Sequence, residues 1–382
     1  MSSFDVVIAG GGPAGLALAI DLAILGHRLA VVEPRVYPID KPCGEGIMPE
    51  GVKYLERLKV TPRLNKSQIS QFAGVCLINA RKERAYSYFS NDFGLGCRRL
   101  ELSRALHERA LEFKNISFFN AKAKSLRKAS DRMVLATDFG ELDARLIVGA
   151  DGLRSSVRNF AGLAGAISRT KRYGLRQHFH LEHKKKLVEV HFGPGIEAYI
   201  TPCGPEQINV AFLWTKGRLT SQVEQIGFLQ MLELFPILKK ELRHAHPLSQ
   251  KMAIGPLEQK CRSVIADGVA LIGDASGYLD AITGEGNSLA FAQAQALANI
   301  VNEGLGRNKS ILSYKDLKPY KLAHASIVKK YYQNTRLMMW LIHHPPLFNF
   351  IIGMAAKSPN AFSWLVNSIR TKISAKHSHQ LF

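Results

Sequence analysis

Apolar and polar positions in the first part of the chain alternate in blocks that predict a βαβ unit. An apolar, β-branched run from Phe4 to Ala9 leads into a glycine turn. An Ala/Leu-rich helix then ends at Gly26, before a second apolar run from Leu29 to Val32. Short apolar runs separated by a helix are typical of parallel strands buried on both faces. An α/β fold that begins with this unit is therefore predicted.

Three later stretches extend this pattern. Leu146–Ala150 is another apolar run of the buried type, and 268–301 combines a strand, a glycine-bearing loop and a long Ala/Leu helix. Residues 189–214 instead alternate short β-rich runs with Gly/Pro turns, which indicates an antiparallel sheet. Because a chain of 382 residues exceeds the usual size of one hydrophobic core, two lobes are expected.

The uncharged stretch Leu337–Ala356 approaches the length of a membrane span. At its centre, the sequence His343-His344-Pro345-Pro346 would break a helix inside hydrocarbon. Two short helices are therefore predicted, and we expect them to cover the protein's own core rather than lie on a membrane surface. The two adjacent histidines lack the spacing of metal ligands on a helix, so no metal is predicted.

The net charge of the chain indicates a class of binding partner. The chain has 51 Lys plus Arg against 31 Asp plus Glu, a net charge of +20, with basic stretches at 169–186, 318–330 and 370–377. These stretches indicate an anionic partner. No nucleic-acid-binding signature accompanies them, so an anionic lipid surface or a phosphorylated cofactor fits better than nucleic acid. A basic, solvated surface without a partner is the alternative.

Cysteine usage and the N-terminus indicate a compartment. The five cysteines are odd in number and form no C-x-x-C pair, so neither a disulfide framework nor a zinc site is indicated. The first residues run directly into a strand without the pattern of a signal peptide. A cytoplasmic location is expected, with peripheral contact at the inner face of the membrane as a further option. The oligomeric state is not predicted.

The glycine turn of the βαβ unit has the spacing of a dinucleotide site. Gly10, Gly12 and Gly15 satisfy G-x-G-x-x-G, which allows a tight turn, close approach to a pyrophosphate and tight packing of helix on strand. Glu33 lies at the end of the second strand, where a carboxylate can accept hydrogen bonds from a ribose. This motif does not separate FAD from NAD(P). The cofactor-binding positions predicted in this unit are Gly10, Gly12, Pro13, Ala14, Gly15, Glu33 and Pro34.

Two further motifs carry a family resemblance. Asp151-Gly152 follows one predicted strand and Gly273-Asp274 ends another. With the glycine fingerprint in this order, the chain resembles, over 4–301, the FAD-dependent family that includes aromatic-ring hydroxylases, flavin halogenases and geranylgeranyl reductases. The resemblance implies a Rossmann-like FAD-binding lobe of the glutathione-reductase type, an inserted antiparallel substrate lobe and C-terminal helices. The implied boundaries are 1–69, 97–169 and 256–330 for the FAD-binding domain, 70–96 and 170–255 for the substrate domain, and 331–382 for the C-terminal helical segment.

The resemblance also implies roles for single residues. Asp274 would accept a hydrogen bond from a ribityl hydroxyl, and the loop Thr283–Asn287 would face the flavin pyrimidine edge with its N–H groups and the following helix dipole. Arg99, or less well Arg98, would contact FAD. The remaining implied contacts come from Asp151, Gly273, Gly284, Gly286 and Asn287. Arg154 and Arg158 could meet phosphates of NAD(P)H, the expected electron donor, or could equally be structural.

The stretch "KPCGEG" (41–46) narrows the subgroup. The aromatic hydroxylases carry an arginine where this chain has Gly44, whereas the stretch is similar to the Pro-Cys-Gly segment of geranylgeranyl-reductase-like proteins. Cys43 and Gly44 are predicted to lie beside the flavin, Cys43 as a small packing group rather than a nucleophile. The W-x-W-x-I-P string expected of flavin halogenases is absent, so halogenation is set aside.

The substrate lobe is expected to hold an apolar pocket. In the resembling enzymes such a sheet backs the pocket, with a P-x-G turn, here Pro202-Cys203-Gly204, near the flavin ring. Four sheet aromatics are candidates to line the pocket, although sheet aromatics are often plain core. They are Phe179, Tyr199, Phe212 and Trp214.

The function expected from these features is an FAD-dependent oxidoreductase acting on an apolar or lipid-derived small molecule. Monooxygenation is placed narrowly ahead of double-bond reduction, and a flavin electron-transfer or membrane-docking module is the third option. Because the flavin supplies the chemistry, no catalytic side chain is assigned.

Overall fold

A computed structural model describes residues 3–166, 171–182, 185–219, 227–307 and 310–369. The basic stretch 370–377 lies outside these residues, and the stretch 169–186 lies partly outside them.

The first sheet has eight strands: β1 (Ser3–Ala9), β2 (Leu29–Val32), β8 (Ile116–Phe119), β9 (Ala123–Ala129), β10 (Arg132–Thr137), β11 (Gly140–Gly149), β18 (Ile265–Ala266) and β19 (Val269–Leu271). Five of them run parallel in the order β8-β2-β1-β11-β19. Val6, Val7 and Ile8 are fully buried, as the apolar run predicted, because both faces of β1 are covered. The carboxyl ends of β1, β2 and β11 therefore meet at one edge.

The second sheet also has eight strands and is antiparallel except for the pair β5 and β13. Its strands are β5 (Gly74–Ile78), β6 (Arg84–Tyr88), β12 (Arg172–His180), β13 (Val188–Gly193), β14 (Ile196–Gly204), β15 (Gln207–Thr215), β16 (His246–Pro247) and β17 (Met252–Ile254). They all lie within the segments assigned to a substrate domain, while the domain division itself stays a prediction. A small third sheet joins β3 (Gly46–Ile47), β4 (Ile69–Phe72) and β7 (Gly94–Cys97).

The helices cover these sheets. They are α1 (Pro13–Ile24), α2 (Pro49–Arg57), α3 (Arg99–Leu111), α4 (Ser156–Phe160), α5 (Phe228–Glu233), α6 (Pro236–Glu241), α7 (Gly286–Arg307), α8 (Tyr314–Ile342), α9 (Pro345–Lys357) and α10 (Pro359–Ile369). Helices α1, α3 and α7 contribute to one large apolar cluster with the first sheet. Helices α5 and α6 cover one face of the second sheet, and α9 packs on its other face.

The C-terminal helices differ in part from the expectation of two short helices. The chain does break at His343-His344, and α9 begins at Pro345, where proline is tolerated because the first turn leaves its N–H groups unpaired. The helix before the break, however, is 29 residues long and runs across the predicted boundary at 330/331. Among the described residues, no single helix is long and apolar enough to cross a membrane. Helices α8 and α9 reach that length and composition only as a pair bent by 111°.

Candidate active site

A cavity of about 900 Å³ lies between the carboxyl edge of the first sheet and the second sheet, and it extends to the C-terminal helices. Its lining includes fifteen of the sixteen predicted cofactor-binding positions. They are Gly10, Gly12, Pro13, Ala14, Glu33, Pro34, Cys43, Gly44, Arg99, Asp151, Gly273, Asp274, Gly284, Gly286 and Asn287. The parallel topology explains this convergence, because residues after β1, β2, β11 and β19 leave the sheet at one edge.

The sixteenth position, Gly15, is absent from the cavity lining, and its assignment as a cofactor contact stays a prediction. It lies in α1 away from the cavity, where an added Cβ would sit 1.9 Å from the carbonyl oxygen of Gly10. Gly10 itself has a φ of +110° and lies against the backbone of Ala150. Gly12 is different, since a Cβ there would meet only the Arg99 guanidinium, at 3.8 Å. Two glycines of the fingerprint thus serve backbone packing, and the middle one leaves room for a ligand.

Glu33 is held at the edge of the glycine turn. Its Oε2 accepts a hydrogen bond of 3.0 Å from the backbone N–H of Gly11, and its Oε1 accepts one of 2.8 Å from Arg35 Nε. Only 4% of Glu33 is exposed. The carboxylate is therefore oriented before any ligand arrives, in the position expected for binding ribose hydroxyls.

Asp274 lies on the opposite side of the cavity and is paired with a residue that the sequence reasoning missed. Its Oδ2 accepts a hydrogen bond of 2.9 Å from Lys41 Nζ. Burial raises the pKa of Asp274, but the charge and hydrogen bond of Lys41, with the charges of Arg99 and Arg158, outweigh burial and hold the pKa below its ordinary value. Asp274 follows β19 within the short 3₁₀ turn Gly273–Ser276, three residues beyond the strand end. Lys41 begins the stretch "KPCGEG", which is the signal that could have found it.

Hydrogen bonds of ionisable side chains hold the loop 40–46 in place. Glu45, whose φ is +61°, accepts hydrogen bonds from His178 Nε2 at 2.6 Å and from the backbone N–H of Arg99 at 2.9 Å. Asp40 accepts one of 2.6 Å from Arg176 Nη2. These contacts tie the loop to β12 and to the start of α3. The loop can therefore present Cys43 and Gly44 to the cavity in a fixed conformation.

Glu45, His178 and Cys203 also form the one cluster in the described part of the chain whose ligand atoms all lie within 4.8 Å of one another. The 2.6 Å between Glu45 and His178 is the length of a hydrogen bond. Two ligands of a tetrahedral zinc would be about 3.3 Å apart. Burial also raises the pKa of the Cys203 thiol, which keeps it protonated. Glu45 and His178 thus form a hydrogen-bonded pair that helps to position the loop, and the Cys203 thiol beside them is neutral.

The four arginines in or near the motifs have different roles. Arg99 lies at the glycine turn and lines the cavity, whereas Arg98 is absent from the lining, so the structure favours the first of the two candidates. Arg158 is buried and donates to the carbonyl oxygens of Leu153 and Ala275, which is the structural alternative considered for it. Arg154 is exposed and lies at the cavity.

The predicted cofactor-binding residues line one part of the cavity, here called the cradle. The segment 283–287 closes its far end. Gly284 has a φ of +68° and no atom within 4 Å of an added Cβ, and α7 begins at Gly286 with its N–H groups at the cavity. The Thr283 hydroxyl is buried without a hydrogen-bond partner among the described residues. The segment before it is anchored by Asp280, which pairs with Arg172 at 2.7 Å. Acceptor atoms of a ligand bound here would satisfy the Thr283 hydroxyl and the first N–H groups of α7.

Beyond the cradle, the cavity continues as an apolar arm. Its walls come from the inner face of β5, β6 and β13 and from α8, α9 and α10. They include Val75, Leu77, Val188, Val190, Phe192, Leu337, Met338, Leu341, Phe348, Ile351, Ile352, Phe362, Leu365 and Val366. The Ser87 hydroxyl is buried at this wall and has no partner among the described residues. The C-terminal helices thus cover the protein's own core, as expected.

The predictions for the substrate lobe were partly wrong. Tyr199 lines the cavity, whereas Phe179 packs on Phe228 and Trp214 stacks on Tyr173, and neither of these two belongs to the lining. Phe212 reaches the lining, but its ring packs on Phe228 and Phe235, on the same face as Phe179. Strand register explains the first error, because the side chain of Phe179 lies on the face that α5 covers. The stretch Pro202-Cys203-Gly204 ends β14 and is also absent from the lining, where its neighbour Thr201 is found.

The cradle fits a flavin dinucleotide. Gly12, Gly44 and Gly284 leave space where side chains would stand, and Arg99 supplies a cation beside the glycine turn. The model of the FAD binding domain family matches residues 3–201. The chain belongs to this family. FAD would therefore be held with its adenosine ribose at Glu33 and its pyrophosphate at the start of α1.

Comparisons with known proteins agree with the assignment to an FAD-binding family. Menaquinone reductase of Mycobacterium tuberculosis is 25% identical over 309 residues, which cover 74% of this chain and 73% of that protein. Digeranylgeranylglycerophospholipid reductase of Methanococcus aeolicus is 22% identical over 325 residues, covering 82% and 80%. Among solved structures, p-nitrophenol 4-monooxygenase of Pseudomonas putida superimposes with a TM-score of 0.78, at 17% identity, over 96% of this chain and 98% of that one.

These findings confirm the predicted fold class and the FAD family. The protein is an FAD-dependent oxidoreductase that is similar in sequence to geranylgeranyl-reductase-like proteins and shares its fold with a flavin monooxygenase. The single residues assigned to FAD remain predictions that the cavity supports.

Asp274→Ala is expected to lower the FAD content of the purified protein strongly. The variant removes the acceptor placed for the ribityl chain and leaves Lys41 unpaired at the cavity wall. Because the pKa of Asp274 is held below its ordinary value, FAD affinity of the unchanged protein should not fall when the pH drops from 8 to about 5. Flavin absorbance after gel filtration measures both effects. Unchanged occupancy in Asp274→Ala would show that the ribityl contact lies elsewhere.

Proposed function

We propose that this protein is an FAD-dependent reductase that saturates double bonds of an apolar, isoprenoid-derived substrate, with NAD(P)H as electron donor. The observation that carries the proposal is the apolar arm, which continues the cradle between the second sheet and helices α8, α9 and α10 and is walled by aliphatic and aromatic side chains. An extended hydrocarbon matches such walls, whereas a small phenolic substrate would leave most of the arm unfilled. The relatives named menaquinone reductase and digeranylgeranylglycerophospholipid reductase support the same class.

The residues of the cradle would assist this chemistry by fixing charge and excluding water. A flavin bound here and reduced by NAD(P)H would supply a hydride to one carbon of the double bond, and a proton taken up from solvent would add to the other carbon. The N–H groups at the start of α7 and the open backbone at Gly284 would favour negative charge at the neighbouring edge of the ring. The apolar arm would keep the reacting carbon atoms dry.

The position of Arg154 supports NAD(P)H as the donor. Its guanidinium lies at the exposed end of the cavity, held by one hydrogen bond of 2.9 Å to the carbonyl oxygen of Gly255. The remaining N–H groups of the guanidinium can bind a phosphate.

Monooxygenation is the second candidate. It is favoured by the shared fold with p-nitrophenol 4-monooxygenase over 96% of this chain. It would use the same cradle and the same electron donor. The two reactions differ in whether oxygen enters the product.

Product analysis separates the two candidates. The FAD-loaded protein is incubated with NADPH and with geranylgeraniol or menaquinone, once without oxygen and once under ¹⁸O₂. Reduction predicts a product two hydrogens heavier per saturated double bond, formed equally well without oxygen. A product that carries ¹⁸O and forms only with oxygen would overturn the reductase and establish the monooxygenase.

A further inference from the structure

The three C-terminal helices carry an exposed apolar surface. Trp364 is 73% exposed and Phe350 is 64% exposed, values far from those of core residues. The exposed large apolar side chains on α8, α9 and α10 are Leu322, Leu337, Trp340, Leu347, Phe350, Met354, Trp364 and Leu365. Isolated exposed apolar residues are common, but seven within the 29 positions from 337 to 365 form an outer apolar face, which marks an interaction site.

Helical spacing places these residues on the sides that point away from the protein. On α9, Leu347, Phe350 and Met354 follow the i, i+3, i+7 pattern of one face. Phe348 and Ile352 on the opposite face are buried against the second sheet. The helix is therefore apolar on both sides, and only one of these sides packs against the rest of the protein.

The charges of this region have a single sign. After Asp316 the sequence contains no acidic residue, whereas it contains nine basic ones. The basic residues are Lys318, Lys321, Lys329, Lys330, Arg336, Lys357, Arg370, Lys372 and Lys376. Lys329, Lys330, Arg336 and Lys357 are exposed and form no ion pair within the described ranges. At 100° per residue, Lys329, Arg336 and Trp340 share one face of α8.

The outer apolar face is continuous with the cavity. Leu337 and Leu365 line the apolar arm and are also 53% and 47% exposed. Leu337 is one helical turn from Trp340, and Leu365 is next to Trp364 in sequence, so the arm ends beside the outer face at α8 and α10.

We propose that the outer face of α8, α9 and α10 docks on the surface of an anionic lipid bilayer, with the mouth of the apolar arm against the lipid. Tryptophan and phenylalanine beside lysine and arginine are the combination that binds the headgroup region of anionic membranes. A second copy of the chain fits poorly, because like charges would meet across the contact. The buried faces of α8 and α9 hold them on the protein, so they lie on the bilayer rather than cross it.

Sedimentation with lipid vesicles tests the docking on the full chain. We expect the protein to pellet with vesicles of phosphatidylcholine mixed with phosphatidylglycerol and to stay in solution with phosphatidylcholine alone. About 0.5 M salt should release much of it, because screening weakens the attraction of the cations. The triple variant Phe350→Ser, Met354→Ser, Trp364→Ser should bind at least about tenfold more weakly, since three apolar side chains no longer enter the interface.

A second triple variant is the matched control. Leu111, Phe139 and Leu229 are 58%, 81% and 61% exposed and lie outside the C-terminal helices. Their replacement by serine should leave vesicle binding unchanged. Equal losses in both triple variants, no pelleting of the unchanged protein with anionic vesicles, or retention of the protein in membranes after an alkaline carbonate wash would each overturn surface docking.

The docking does not depend on the reaction, because sedimentation needs neither substrate nor NAD(P)H. Only the transfer of substrate from the bilayer into the arm rests on the proposed function. Failure of the product analysis would thus leave the vesicle result standing, and the reverse holds as well.

Discussion

Gly12→Val is expected to abolish FAD binding while the protein stays folded. Gly12 is the N-cap of α1 with a φ of −75° and a ψ of −179°, a conformation that valine adopts without strain. Its Cβ position faces the cavity and has only the Arg99 guanidinium nearby. A branched side chain there would occupy the path of the pyrophosphate. We expect FAD affinity to fall by about 100-fold or more, a loss of about 3 kcal/mol.

Titration of the FAD-free protein with FAD, followed by fluorescence quenching, measures the affinity, and circular dichroism confirms the fold. Gly306→Val is the matched control, since this exposed glycine near the end of α7 also has no atom within 4 Å of an added Cβ. The control should bind FAD normally. Normal FAD binding by Gly12→Val would mean that the pyrophosphate does not lie at the glycine turn.

Gly15→Val should prevent correct folding, whereas Gly12→Val should prevent only FAD binding. This difference shows that the glycines of the motif have separate roles. A Cβ at Gly15 would overlap the Gly10 carbonyl, so the βα turn itself could not form. The sequence predicted both glycines from one spacing rule. It could not separate the residue that makes room for a ligand from the residue that packs backbone on backbone.

The cradle was predictable because its chemistry is local in sequence. Glycines, Glu33 and Asp274 each follow a recognisable strand, and parallel topology brings strand ends together. The supports of the cradle were not predictable in this way. Glu45 contacts His178, 133 residues away, and Asp280 contacts Arg172, 108 residues away. No spacing rule connects residues whose proximity depends on how the two sheets pack.

The errors in the substrate lobe have another cause. Alternation along a strand shows that two faces exist, but it does not show which face lines a cavity and which meets a helix. Tyr199 on β14 and Phe179 on β12 lie in aromatic-containing strands that both pair with β15, yet the first points to the cavity and the second to α5. Only the positions of α5, α6 and α9 decide between the faces.

Arg172→Met is expected to destabilise the protein by about 3 to 5 kcal/mol near neutral pH. The guanidinium lies between two buried carboxylates, at 2.6 Å from Glu197 and 2.7 Å from Asp280, and all three residues are nearly inaccessible. Methionine fills the space but leaves both carboxylates without their cation. Because Asp280 anchors the segment before Gly284, FAD binding should weaken as well.

The loss should depend on pH with a definite sign. Burial raises the pKa of Glu197 and of Asp280, even though Arg172 opposes the effect. Carboxyls with a raised folded-state pKa contribute stability that is present below their unfolded pKa of about 4 and is lost as the pH rises through the folded pKa. Removing Arg172 raises the folded pKa of both groups further. The deficit of the variant should therefore be large at pH 7 and shrink as the pH falls towards 5.

Denaturant unfolding of the FAD-free proteins at both pH values measures this deficit. Arg127→Met is the matched control, because Arg127 pairs with Glu141 on the surface and its loss should cost less than about 1 kcal/mol at either pH. Adding Glu197→Gln and Asp280→Asn to Arg172→Met should restore much of the stability, since the uncompensated charges are then gone. A small deficit at both pH values would mean that the buried carboxyls are already neutral and that Arg172 does not hold this segment in place. A deficit that grows as the pH falls would contradict the rise in the pKa of Glu197 and Asp280 on loss of Arg172.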